Sequence, residues 1–256
     1  MRPYPVSVLI LLPPSEGKTD PRRGRPVDLA ALSFPELELP RREVLDALAE
    51  ASGREDALDL LGVGASLEAE LERNTRLLQA PSAPAGQVYS GVLYDALDLA
   101  GLDAAARRRA HRRVLVVSAL YGAVRLTDRI APYRLSGSVR LPGLGPVAAH
   151  WRPALAAALP PLVGRGCVVD CRSATYLAAW PVPKELADRW LMVTVPGASH
   201  VAKHTRGLVA RALCEDAADP RRPAGVAAVV AQRFAGVELA APVRASKPWT
   251  LSVPPQ

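Results

Sequence analysis

The reading of residues 7–20, SVLILLPPSEGKTD, decides the fold. The apolar run over 6–12, interrupted only by Ser7, has the pattern of a strand buried on both faces of a sheet, not of one with a face in water. Pro13 and Pro14 stop the run. Ser15, Glu16 and Lys18 then follow just past the carboxyl end of this expected strand, where ligands bind in open α/β sheets. Gly17-Lys18-Thr19 also matches the end of a phosphate-binding loop, G-x-x-x-x-G-K-[ST]. That match fails on spacing, because Leu12 stands five residues before Gly17, and the two prolines have no N–H to offer a phosphate. A solvated strand-to-loop turn is the plain alternative for these residues.

Continuous apolar runs recur at 114–119, Cys167–Asp170 and 191–195. Helical periodicity separates them: 41–51, 104–112 with Asp103 as its cap, 147–159, 202–214, and a last helix that follows 220–223 and runs to about Phe234. The 237–253 stretch alternates loosely and adds an edge strand. Together these predict one domain over 1–256, mixed α/β, with a largely buried central sheet and flanking helices.

Within it, DALDLLGVGASLEAELERN (56–74) predicts a short helix to Leu61, a tight Gly62-Val63-Gly64 turn, and a second helix from about Ser66. This helix-hairpin-helix-like subregion, about 41–80, can aim backbone N–H groups and a helix dipole at a DNA phosphate. An αα-hairpin with a glycine C-cap is the simpler reading, and Glu68, Glu70 and Glu72 argue for it.

The chain has 256 residues, a formal charge of +7, and 32 basic residues of which four are lysines. Such a balance favours polyanionic partners or anionic substrates, although the arginine bias is partly compositional. No apolar run is long enough for a membrane span or a signal peptide. Cys167, Cys171 and Cys214 are few and odd in number, which suits buried thiols in a cytoplasmic, reducing compartment. No metal set and no cofactor are expected: His200 and His204 flank Lys203 at helical spacing, but no carboxylate accompanies them. The oligomeric state is left open.

The densest cluster is VLVVSALYGAVRLTDRIAPYRLS (114–136), where Ser118, Tyr121, Arg125, Asp128, Tyr133 and Arg134 interleave with apolar anchors. Arginine forks suit carboxylate or phosphate, and Asp128 can orient one; a structural ion-pair network competes with that reading. Among so many arginines, lysines at Lys18 and Lys203 suggest that a compact or titratable amine is wanted there. Lys203 and Arg206 share one helix face.

LLPPSEGKT, VYSGVLYDALD (88–98), LVVSALYGAVRLTDRIAPYRL, VVDCRSATYLAAW (168–180) and SHVAKHTRGLVAR (199–211) resemble, in order, blocks of the YaaA family of peroxide-stress proteins. The resemblance implies a single mixed α/β fold with a helix-hairpin-helix element and a basic cleft, binding to double-stranded DNA, and protection against hydrogen peroxide linked to lower free iron. It carries over Lys18, Tyr89, Ser90, Gly91, Tyr121, Gly122, Arg125, Asp128, Tyr133, Arg134, Ser173, Tyr176, Lys203, Arg206 and Gly207. The first block here is Pro-Ser-Glu-Gly-Lys where the other common version is Pro-Ala-Lys, so Glu16 is not general.

Three functions remain in view. One is DNA binding through Lys18, Gly62, Gly64, Arg125, Arg134, Lys203 and Arg206. Another is an enzyme acting on a phosphorylated, nucleoside-like or carboxylated small molecule, with Glu16, Lys18, Ser118, Tyr121, Asp128, Tyr133, Ser173 and Lys203 as candidate catalytic groups. Direct iron binding ranks last, because no two-histidine-one-carboxylate set is present. All rest on five distant blocks meeting at one rim of the sheet.

Overall fold

A computed structural model describes residues 6–256. Strand β1 (Val8–Leu12) forms from the apolar run, and each of its five residues is completely buried. Around it stand β2 (Val114–Ser118), β3 (Gly122–Arg125), β4 (Cys167–Asp170), β5 (Trp190–Thr194), β6 (Glu238–Ala240) and β7 (Trp249–Ser252). They make one sheet in the order β6-β7-β5-β4-β1-β2-β3. β1 runs parallel to β2 and β4; β4, β5 and β7 continue the parallel set; β3 and β6 close the edges antiparallel. The fold is thus mixed α/β with a buried central sheet.

The α-helices longer than a single turn are α1 (Glu38–Ser52), α2 (Ala57–Leu61), α3 (Glu68–Asn74), α4 (Val92–Leu97), α5 (Ala104–Arg113), α6 (Val147–Ala158), α7 (Ser199–Glu215) and α8 (Pro223–Ala231). Asp103 caps α5 as expected, accepting from the Ala106 N–H at 2.7 Å. The basic residues of α5 divide: Arg107, Arg108 and Arg112 meet solvent, while Arg109 donates to the carbonyls of Cys214 and Glu215, and Arg113 to that of Ala218. These guanidiniums satisfy carbonyls at the end of α7 and in the segment just past it. Arg41, expected only as the start of an amphipathic helix, is fully buried and donates to four carbonyls, those of Ser33, Phe34, Tyr121 and Ala123.

Several boundaries differ from expectation. The 191–195 run begins one residue earlier, at Trp190. The 237–253 stretch gives two strands, not one, with the exposed turn 241–248 between them. Edge strand β3 was not expected at all, since it follows β2 almost without a break. Gly122 permits that hairpin: its φ is +71°, and a Cβ there would lie 2.5 Å from the Trp151 ring.

The order of strands sets where a ligand can enter. The chain leaves β1 towards β2 on one side and leaves β4 towards β5 on the other. Loops 13–18 and 171–176 therefore diverge, and a crevice opens between them at the carboxyl ends of the strands.

Candidate functional site

The loop leaving β1 is held by the VYSG block. Tyr94 donates its hydroxyl proton to the Pro13 carbonyl at 2.7 Å, the Ser90 N–H donates to Ser15 Oγ at 3.1 Å, and the Thr19 N–H donates to the Val88 carbonyl. Lys18 and Tyr89 form an isolated antiparallel bridge. Lys18 is half-buried, with its Nζ 4.2 Å from the centroid of the Tyr133 ring and 5.9 Å from that of Tyr89. The amine donates to the carbonyls of Ser15 (2.7 Å) and Glu16 (3.2 Å). Burial, and then the nearby positive charge of Arg134, pull its pKa down to about 7 against the opposing pull of Glu70 and Glu16.

Behind the lysine lies a buried phenol stack. The hydroxyls of Tyr133 and Ser118 are 2.7 Å apart, those of Tyr133 and Tyr89 are 3.3 Å apart, and Tyr121 packs edge-on against Tyr133. Burial raises the pKa of Tyr89, Tyr121 and Tyr133, so these phenols stay neutral. Ser118, Tyr121 and Tyr133 are all buried and none of them lines the crevice; Ser118 and Tyr121 both contact Tyr133.

The crevice has two lobes that share Ser15, Glu16, Ser136 and Tyr176. The first lobe, about 450 Å³, holds Lys18, Arg134, Arg140 and Asp59, with Gly62 and Val63 at its wall. The second, about 390 Å³, holds Ser173, Ser199, Lys203 and Arg206 against an apolar side made by Pro13, Leu93 and Tyr94. Lys18 and Lys203 thus occupy adjoining lobes of one crevice. Glu16 sits exposed at the shared rim, where Arg134 reaches its carboxylate at 3.8 Å. Gly207 lies on α7 one turn below Lys203 and meets α4 so closely that a Cβ would stand 2.2 Å from the Leu93 carbonyl.

Three further expected residues lie away from the crevice. Asp128 does not line the crevice: one oxygen accepts from the Ser33 N–H and hydroxyl, the other from the Arg125 N–H, so it fixes the β3 turn. The Arg125 guanidinium donates to the Arg112 carbonyl, away from the crevice. Gly64 opens the turn Ala65–Leu67, which precedes α3, and is not among the lining residues. At 62–64 the geometry is that of a glycine-capped αα-hairpin. Gly62 has φ +64°, and the Val63 N–H returns to the Leu58 carbonyl.

Sequence reasoning passed over Asn74, which ties the hairpin to the crevice. Its amide donates to the Arg134 carbonyl at 2.8 Å and accepts from the Arg134 N–H at 2.9 Å. It also passed over Arg140, Ser136 and Asp59. Arg140 had a signal, standing six residues after Arg134, but no motif marked it.

The three thiols carry a prediction. Cys167, Cys171 and Cys214 are free and buried, and burial pushes each pKa up to about 12. At pH 7 the thiolate fraction is then on the order of 10⁻⁵. A colorimetric thiol reagent is expected to find none of them in the folded chain and all three after denaturation. Fast titration of any thiol under native conditions would contradict this.

Fold and crevice together define an open α/β protein with a charged, two-lobed crevice at the switch point of its sheet. The chain belongs to the family described as peroxide stress protein YaaA, whose sequence profile matches residues 8–236. It is 47% identical over 254 residues to a UPF0246 protein of Streptomyces coelicolor, covering 96% of this chain and 98% of that one. A UPF0246 protein of Corynebacterium efficiens is 39% identical over 254 residues, covering 96% and 99%. One from Ruegeria is 31% identical over 193 residues, covering 67% and 76%. Among the described residues no helix is long and apolar enough to cross a membrane.

Proposed function

We propose that this chain acts in peroxide stress by binding nucleic acid, its crevice taking the sugar–phosphate backbone of double-stranded DNA. The observation that carries the reading is the convergence in one lobe of Lys18, Arg134 and Arg140 with the Gly62-Val63 turn, whose Gly62 is exposed. Lys203 and Arg206 continue the positive lining into the second lobe. The formal charge of +7 adds long-range attraction for a polyanion. Contacts of this kind read backbone and not bases, so little sequence preference is expected.

A second reading has its own observation. A half-buried lysine packed on neutral phenols, with a carboxylate at the rim, suits an enzyme pocket for an anionic small molecule better than a backbone clamp. Glu16→Gln separates the two. Glu16 repels phosphate, so the variant is expected to bind a random-sequence duplex as tightly as wild type or several-fold tighter by fluorescence anisotropy. If wild type binds no tighter than about millimolar at physiological salt, where non-specific binding typically falls at 10⁻⁴–10⁻⁶ M, the DNA reading fails.

A further inference from the structure

We infer that Lys18 is a covalent site: its amine forms an imine with the aldehyde of a ligand whose phosphate is held by Arg134 and Arg140. The inference rests on the first lobe binding phosphate, but not on the phosphate belonging to DNA.

The geometry of the amine supports this. A neutral amine has two N–H bonds and one lone pair. Both N–H groups have acceptors, the carbonyls of Ser15 at 2.7 Å and Glu16 at 3.2 Å, which fixes the nitrogen and leaves its lone pair uncommitted. Tyr133 walls one side at 4.2 Å. Lys18 lines the lobe alongside Arg134 and Arg140, so a phosphate on those guanidiniums places the rest of its molecule near the nitrogen. The lobe's roughly 450 Å³ is within the range of small-ligand sites. A pKa near 7 leaves about half of the amine unprotonated at neutral pH, against roughly one part in three thousand for an ordinary lysine. Lys184, Lys203 and Lys247 are exposed, and of these Lys203 lines the adjoining lobe and not the first.

The step balances without an oxidant or reductant. The nitrogen adds to the carbonyl carbon, a C–N bond forms, and the carbonyl oxygen takes a proton to give a carbinolamine. That hydroxyl leaves with one further proton as water, breaking the C–O bond and yielding the protonated imine. Solvent at the open rim supplies the net proton. Two sources carry such an aldehyde beside a phosphate: a free sugar phosphate, or the ring-opened sugar of an abasic site in DNA.

The test treats the full-length chain at pH 7 with sodium cyanoborohydride, using glyceraldehyde 3-phosphate in one arm and a duplex bearing one abasic site in the other. Peptide mapping by mass spectrometry then locates the reduced adduct. Lys18 is expected to label at least tenfold faster than the other three lysines with one probe or both, with half-maximal rate near pH 7. Excess inorganic phosphate should slow Lys18 and leave the others unchanged, which needs no variant. Arg134→Gln should slow the labelling by weakening phosphate capture, and Lys18→Arg should abolish it. Labelling spread evenly over the four lysines, or sparing Lys18, overturns the inference. An intact duplex that binds while neither probe labels Lys18 leaves the DNA reading standing and removes this one. Lys18 labelling by the sugar phosphate with no duplex binding does the reverse.

Discussion

Asp170→Ala is expected to destabilise the protein by about 3–5 kcal/mol, because it strands a guanidinium in the core. Asp170 ends β4, and its carboxylate takes Arg172 in two bonds, from Nε at 2.8 Å and from the terminal nitrogen at 2.7 Å. Both side chains are fully shielded from water. Trp190 Nε1 donates to the same carboxylate at 3.1 Å, and Arg172 also donates to the carbonyls of Tyr176 and Trp180. The guanidinium therefore anchors the loop 171–176 that forms one wall of the crevice. Once the carboxylate is gone, nothing neutralises the buried charge, and water has no route to it. Urea unfolding followed by circular dichroism measures the loss. Asp170→Asn, which keeps an oxygen acceptor, should cost less. A variant within 1 kcal/mol of wild type would show that the pair is not sealed from solvent.

Lys18→Met is expected to stabilise the protein, most strongly at neutral and lower pH. The native amine has its pKa lowered from 10.5 to about 7, chiefly by burial. Below pH 7 the amine is charged in both folded and unfolded chains, so the cost of burying that charge is present in full. Between pH 7 and 10.5 the unfolded chain holds a proton that the native chain does not, so wild-type stability rises with pH through this window. Above 10.5 both states are neutral and the cost is gone. Each pKa unit corresponds to about 1.4 kcal/mol; discounted for partial exposure, the variant should exceed wild type by about 2–4 kcal/mol at pH 6. The gap should narrow steadily towards pH 10. Denaturant melts of both proteins across that range provide the check. A gap that does not change with pH would mean that the lysine titrates as if in water. An excess of stability paid for by lost function is the usual mark of a working site.

The parallel core was legible because strands buried on both faces leave continuous apolar runs, as residues 8–12 and 167–170 do. β6 and β7 blurred into one stretch because half-exposed edge strands carry little hydrophobic signal. β3 was hidden because its residues follow β2 with only three between, and they read as part of one polar-rich loop. In the site, Lys18, Arg134, Lys203 and Arg206 were legible as lysines and arginines within apolar blocks. Asp128 was misplaced for a general reason: a buried carboxylate that caps a turn has the same sequence context as one that does chemistry. Arginines misled in the same way. Arg41, Arg109, Arg113 and Arg172 all donate to backbone carbonyls inside the fold, so part of the chain's basicity never faces a partner. Asn74 left no signal, since its bonds to Arg134 span sixty positions of sequence.

The most direct measurement is duplex affinity against salt concentration for wild type, Arg134→Gln and Lys203→Gln. A phosphate contact contributes about 0.9 to the slope of log affinity against log salt, so each variant should bind more weakly and lose about that much slope. Two folded variants that bind with wild-type affinity and unchanged slope would place the nucleic acid elsewhere on the molecule and contradict the account.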